Sequence, residues 1–184
     1  MKTFLQSLRL LAVLTGLTGL LYPLAVWAAG HVFFRQAAEG SLLLRAGKPV
    51  GSALLAQKTT DPRYFWPRPS AGDYATVASG ASNLAWTSAK LTASVAERRA
   101  AFGEAADLPA DLLTNSGSGL DPDLSPEAVL AQLPRVGRAR QLDKNQQRVL
   151  ADLVARLTEG GHLTPVRVNV LKLNLALDTA LPPP

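Results

Sequence analysis

Cysteine is absent from the 184 residues, which excludes disulfides, thiol nucleophiles and Cys-ligated zinc or iron–sulfur centres. Histidine is nearly absent too. His31 and His162 are the two imidazoles of the chain, too few for a His-rich metal centre. Aromatic residues make up 6% of the sequence, and no Phe, Tyr or Trp follows Phe102. The basic stretch after Pro134 holds Arg135, Arg138, Arg140, Lys144, Arg148 and Arg156 but has no platforms on which bases could stack. A solvated helical face accounts for it better than a nucleic-acid footprint.

Charge is missing altogether from residues 10–34, a run of 25 bracketed by Arg9 and Arg35. As a helix this run would extend about 37 Å at about 1.5 Å per residue, against a hydrocarbon core of about 30 Å. Nothing later repeats it. The sequence therefore predicts one transmembrane helix over 10–34, behind a short basic N-terminus of residues 1–9, and a single helix cannot enclose a transport pathway. A cleaved signal peptide is the rival reading: Lys2 and Arg9 form a basic leader, Pro23 would break the helix, and Val26-Trp27-Ala28 is an acceptable cleavage triplet. Against it, the apolar run outlasts a usual leader core and continues through Val32, Phe33 and Phe34, while Trp27 and His31 suit an interfacial belt. Retention as an anchor is the reading adopted. Basic residues are nearly balanced across the run, with Lys2 and Arg9 on one side and Arg35, Arg45 and Lys48 on the other. A short basic N-terminus before a long domain then places the N-terminus in the cytoplasm and the domain outside it.

Residues 35–184 remain, enough for one domain that buries about 68–70% of its unfolded surface. Of 19 basic residues, Lys2 and Arg9 precede it, leaving 17 against 14 acidic ones, a net of +3. Two short strands are expected at 41–45 and 50–57, around a Gly/Pro turn. Residues 58–87 are rich in Pro, Gly, Ser and aromatics and show no periodicity, a length of loop that is commonly functional. Ser88 to about Gly103 reads as a helix, residues 109–114 as a short strand or extended piece. Ser125 before Pro126 and Glu127 is a strong helix start, and Pro134 should kink or end that helix. Asp143 caps a further helix with a stripe of Val149, Leu150, Leu153, Val154 and Leu157, closed by Gly160 and Gly161. Val166–Val170 alternates as a strand, and the adjacent Val170 and Leu171 mark a bulge or a change of element. The tail, 182–184, is expected to be disordered. The fold class is mixed α+β, one transmembrane helix and one soluble domain.

Two Gly/Ser segments, Ser79-Gly80-Ala81-Ser82-Asn83 and Ser116-Gly117-Ser118-Gly119, can present N–H groups and hydroxyls to an anion. Neither is a P-loop, since no Gly-Lys-Ser/Thr follows. Their plainer reading is structural: Gly117 and Gly119 as turn residues, Asp121 as a turn residue and Ser125 as a cap. Asp121 and Asp123 can also bind a hard cation, but precede Pro122 and the helix start as turn and cap residues do. A serine hydrolase would rest on Ser118 with His162 as its one plausible base, and Gly-x-Ser-x-Gly is not satisfied. No catalytic or metal-ligating residue is assigned. The most distinctive segment is Asp61-Pro-Arg-Tyr64-Phe65-Trp66-Pro-Arg68-Pro-Ser70. Tyr64, Phe65, Trp66 and Arg68 are either a rigid docking surface, since such residues dominate binding hot spots, or the loop's own anchor in the core.

Taken in order, VGSALLAQ, DPRYFWPRPSA, Tyr74 with SGASNL, PADLLTNSGSGLDPDLSP, Gln132 with RVGRAR, and RVNVLKLNLALD resemble the C subunit of the bacterial Kdp-type potassium-transporting ATPase. The resemblance covers nearly the whole chain. It implies an accessory subunit of a high-affinity K⁺ uptake complex in the cytoplasmic membrane. Its partners there are a K⁺-translocating pore subunit, a phosphorylated ATP-hydrolysing subunit and a small membrane peptide. It also implies help in assembly and a catalytic-chaperone role that raises the ATP affinity of the ATP-hydrolysing subunit. Ser79, Gly80, Ser82 and Asn83 are the nucleotide-related positions by this likeness, with ATP shared with the catalytic subunit and no tightly bound cofactor. The chain departs from the family pattern with Ala75, Ala81, Ala85 and Trp86. An anchored extracytoplasmic module that binds a small anion or a partner protein is the alternative.

Overall fold

Lys2 to Thr15 contain neither Gly nor Pro, and in the computed structural model, which describes residues 1–103 and 107–183, they are already helical. The helix begins before the apolar run, so the basic N-terminus is its first two turns. It runs unbroken from Lys2 to Phe33, 32 residues long and apolar enough to cross a membrane. Pro23 does not end it. Proline lacks an N–H, and its ring crowds the carbonyl four residues earlier, here that of Gly19. The chain adapts between α1 (Lys2–Gly16) and α2 (Tyr22–Phe33) with a π-helical turn, Leu17–Leu21, in which the Tyr22 N–H donates to the Leu17 carbonyl. At Phe34 the backbone leaves the helical region (φ −136°, ψ 42°), and α3 (Arg35–Ala38) folds back. A Cβ placed at Gly30 would lie 3.8 Å from that of Ala38. Two compact units result, Met1–Leu42 and Leu43–Pro184.

The second unit opens with a two-stranded sheet. β1 (Leu42–Arg45) and β2 (Lys48–Ser52) flank Ala46 and Gly47, both at positive φ (49° and 76°). The second strand thus starts earlier than expected and includes Pro49, tolerable because a two-stranded sheet leaves edges where no N–H is needed. Helix and strand are absent from there to Ser88, as the loss of periodicity implied. α4 (Ala89–Ala101) then ends at Gly103 (φ 78°), as expected. Residues 109–114 are not extended: α5 (Ala110–Leu113) is one helical turn that buries both Leu112 and Leu113. Adjacent leucines that both point inward fit a helical turn and would fall on opposite faces of a strand.

The Ser125 start is observed, its Oγ accepting the Ala128 N–H at 3.2 Å, but α6 (Pro126–Leu130) stops before Pro134. α7 (Leu133–Ala139) takes that proline into its first turn, where a missing N–H is harmless. α8 (Lys144–Arg156) carries the expected Asp143 cap as a full capping box with Gln146. Of its stripe, Leu150, Leu153 and Val154 are buried and Val149 is exposed. Gly160 and Gly161 do not close α8. They turn the chain between β4 (Thr158–Glu159) and β5 (Arg167–Asn169), with φ of 105° and 144°. β5 is the middle strand of an antiparallel sheet, flanked by β3 (Asp123–Leu124) and β4, with Leu124 and Thr158 both opposite Val168. The change of element at Val170–Leu171 is α9 (Val170–Ala180), capped by the Asn169 side chain. Leu124, Val129, Val136, Leu150, Val168, Leu173 and Leu177 form the core, with Phe65 among them. Pro182 and Pro183 are exposed and irregular, while Pro184 lies outside the described residues. The fold class is α+β.

Candidate functional site

A peptide that enters a core without a strand partner leaves its N–H and C=O groups to be satisfied by side chains. Residues 65 and 66 do this through two buried amides. The Phe65 N–H donates to Asn174 Oδ1 at 2.9 Å, and Asn174 Nδ2 donates back to the Phe65 carbonyl at 3.0 Å. Gln132 repeats the pattern on Trp66, at 2.8 and 3.0 Å. The N-cap residue of α7 and a residue within α9 thus grip the aromatic segment much as neighbouring strands would. Phe65 is wholly buried, so of the four aromatic and arginine residues of this segment it presents no surface in this fold. Tyr64, Trp66 and Arg68 are half-buried and face inward with their polar atoms. Tyr64 donates to Asp178 (3.0 Å), the Trp66 indole to the Asp61 carbonyl (3.1 Å), and Arg68 to Asp121 (3.1 Å). These bonds anchor the loop in the domain.

Two arginines of the basic stretch complete this anchor, which corrects the expectation of a solvated face for them. Arg135 lies 3.7 Å over the Trp66 ring, and Trp66 meets Phe102 edge-on at 5.5 Å. Its guanidinium donates to the carbonyls of Pro62 and Tyr64, and burial pulls its pKa down to about 10. Arg140 is 3% exposed. It donates to the Arg63 carbonyl (2.8 Å), the Leu181 carbonyl (2.6 Å) and Asp178 (2.6 Å), with its guanidinium 4.8 Å from the centre of the Tyr64 ring. Arg138, Lys144, Arg148 and Arg156 are exposed, as expected.

Asp178 therefore receives Arg140, Arg45 and Tyr64. Burial pushes its carboxyl up, but these donors outweigh burial and hold it below the ordinary 3.8. Asp61 is lowered as well, by hydrogen bonds from Arg63. A carboxylate with a depressed folded pKa contributes stability that is complete above its unfolded value and disappears as pH falls through the folded one. Urea midpoints of the full chain in detergent micelles should hold level from pH 7 to about 5 and fall below about pH 4. In Asp178→Asn the acid limb should be shallower, and an unchanged limb would contradict this assignment.

The two Gly/Ser segments are brought together. Ser79 Oγ donates to the Ser118 carbonyl at 2.8 Å. Gly119 sits at φ 71°, and a Cβ there would come 2.9 Å from the Gly80 carbonyl, so both conformation and space require glycine. The Ser116 and Ser118 hydroxyls are occupied by their own loop: Ser116 Oγ accepts the Gly119 N–H, Ser118 Oγ the Leu120 N–H, and the two hydroxyls lie 3.1 Å apart. Ser118 is thus held by its loop, with no imidazole among those partners. Asp121 accepts the Asp123 N–H as a turn residue does, and Asp123 pairs with Arg167 and Asn169. Gly117 has open space around it. Ser82 and Asn83 make no side-chain hydrogen bond among the described residues, and Asn83 is exposed at φ 51°. Among those residues no three of His, Asp and Glu gather in a group able to hold a metal ion.

Sequence reasoning missed Gln132, Asn174 and Asp178 as the partners of the aromatic segment. One signal was available: Asn174 and Asp178 are polar residues at i and i+4 on a helix whose other inward positions are Leu173 and Leu177.

Comparison with known proteins covers nearly the whole chain. Residues 4–179 match the family model for the c chain of the K⁺-transporting ATPase, KdpC. A "Potassium-transporting ATPase KdpC subunit" from Polaromonas naphthalenivorans (strain CJ2) is 49% identical over 194 residues, covering 99% of this chain and 97% of that protein. One from Sorangium cellulosum (strain So ce56) is 50% identical over 185 residues, 95% and 96% of the two. One from Leptospira interrogans is 45% identical over 177 residues, 94% and 92% of the two. With a match from the membrane-length helix to the end of α9, the chain belongs to the KdpC family, the c chain of K⁺-transporting ATPases.

Proposed function

We propose that the chain is the accessory subunit, neither pore-forming nor phosphorylated, of an ATP-driven K⁺ uptake complex in the bacterial inner membrane. It stabilises assembly with the pore subunit, the ATP-hydrolysing subunit and the small membrane peptide, and raises the ATP affinity of the ATP-hydrolysing subunit. The observation that carries this reading is the family match over 4–179, which takes in the helix and the domain together. A single membrane-length helix supports it as well, since one helix is an anchor and not a pathway.

The N-terminus is cytoplasmic and the domain extracytoplasmic in this reading, so the effect on ATP affinity passes through the assembled subunits. Ser82 and Asn83 are the members of the Ser79–Asn83 segment with side chains free to meet a partner or a nucleotide, whereas Ser79 ties the loop to its neighbour and Gly80 lies close against Gly119. The alternative, an anchored module for a small anion, has less support, because the hydroxyls of Ser116 and Ser118 are already engaged. Deleting residues 1–34 tests the reading. The shortened chain should be soluble and absent from the complex purified through a tagged pore subunit. Its retention, with full K⁺-dependent ATP hydrolysis, would overturn the anchoring role.

A further inference from the structure

Beyond the membrane-length helix, the apolar surface does not stop where the helix stops. Phe33 and Phe34 are exposed at its end, and β1 follows with Leu42 and Leu44 at 46% and 61% exposure around a half-buried Leu43. Side chains two apart in a strand share a face. β1 therefore turns two leucines outward and one inward. Within the two-stranded sheet, nothing among the described residues pairs with the remaining edge of β1. Large apolar side chains left in water in this way mark a surface that something covers.

The position of the strand in the chain identifies the cover. α3 folds back on α2, so Ala38 lies against Gly30, one turn inside the end of the helix. The Ser41 N–H donates to the Gln36 carbonyl at 2.8 Å, which ties the exit to that fold-back, and Leu42 belongs to the same compact unit as the helix. The first residue of β1 thus belongs with the fold-back at the end of the span, and Leu44 follows it two residues along the chain. The charges fit a lipid surface. Of the three basic residues there, Arg35 is paired with Glu39, the one acid among residues 35–48, at 2.7 Å, and Arg45 is paired with Asp178. Lys48 is exposed with no ion pair among the described residues. Outward leucines bordered by cations are the pattern that settles at the headgroup–acyl boundary of an anionic membrane.

We propose that the β1–β2 hairpin is an interfacial membrane contact: Leu42 and Leu44 are embedded at the headgroup–acyl boundary of the leaflet from which the helix emerges, with Lys48 at the level of the phosphates. The inference rests on the reading that the helix is retained. It gives the chain a second attachment to the bilayer besides its span.

The absence of cysteine allows single labels without background substitutions. Spin labels are placed by Leu44→Cys, Leu42→Cys, Val77→Cys in a fully exposed loop, and Leu20→Cys in the span. The full chain is reconstituted in vesicles of phosphatidylethanolamine and phosphatidylglycerol, and each label's accessibility to oxygen and to a water-soluble nickel chelate is measured by electron paramagnetic resonance. The labels at 42 and 44 should favour oxygen over the chelate several-fold, the label at 77 the reverse. Lys48→Glu, or phosphatidylcholine in place of phosphatidylglycerol, should shift the label at 44 toward the chelate. Labels at 42 and 44 as open to the chelate as that at 77, with position 20 oxygen-accessible, would overturn the hairpin contact while leaving the anchor standing. A label at 20 open to the chelate would overturn the anchor itself. Protection at 44 that appears only when the other subunits are added would assign the leucines to a protein partner and overturn the lipid contact.

Discussion

Arg140→Met is expected to destabilise the folded domain by about 3–5 kcal/mol, because removing one partner of a buried pair leaves the other charge without compensation. The Arg140 side chain is fully buried and that of Asp178 is 7% exposed. Methionine keeps much of the volume but none of the three hydrogen bonds, so the carbonyls of Arg63 and Leu181 lose their donor along with the carboxylate. Arg45 and Tyr64 still reach Asp178, which sets the effect toward the lower end of that range. The double variant Arg140→Met, Asp178→Leu should recover part of the loss, since no buried charge is then stranded. Urea unfolding of the full chain in micelles reads both. A single variant within about 0.5 kcal/mol of the parent would show that this cluster is not a structural centre.

Phe65→Ala is the second large effect, again about 3–5 kcal/mol, the usual cost of removing a buried phenylalanine side chain from a core that cannot collapse. Here collapse is hindered on both sides. Asn174 in α9 and Gln132 at the N-cap of α7 fix the backbone of residues 65 and 66, and Arg135 stacks on Trp66. Phe65→Leu, which keeps most of the apolar volume, should cost about 1.5 kcal/mol or less. If the alanine variant matched the leucine variant, Phe65 would not be a core anchor of this segment.

Much of the fold was legible where the signal is local. The Asp143 cap, the Ser125 cap and a break in strand alternation at Val170–Leu171 are each written in a few adjacent residues, and each is present, the break as the start of α9. Misread elements were those decided by distant contacts. Leu112 and Leu113 form a helical turn because both sides of that turn meet the core. The glycines at 160 and 161 serve the β4–β5 turn and not the end of α8. Pro23 stays within a helix because a π turn absorbs its ring, an adjustment that no composition rule announces.

The site was legible in its parts and not in its pairings. Tyr64, Phe65 and Trp66 stood out, but neither sequence distance nor residue type says that Asn174, more than one hundred positions away, would close on Phe65. The same holds for Ser79 and Ser118, two loops read separately that turn out to be one surface. Arginine is the residue most easily misplaced. Exposure is the norm for it, yet Arg140 is buried because Asp178, two carbonyls and the Tyr64 ring surround it.

The central proposal is that this chain, a member of the KdpC family, strengthens the hold of a K⁺-transporting ATPase on ATP without performing the hydrolysis. The direct measurement is the ATP dependence of K⁺-stimulated hydrolysis, on complex purified with this chain and on the remaining subunits purified without it. The account predicts a KM for ATP several-fold higher without the chain, restored when the full-length chain is added back. An identical KM in both preparations, with this chain verified as present in one and absent from the other, would contradict it.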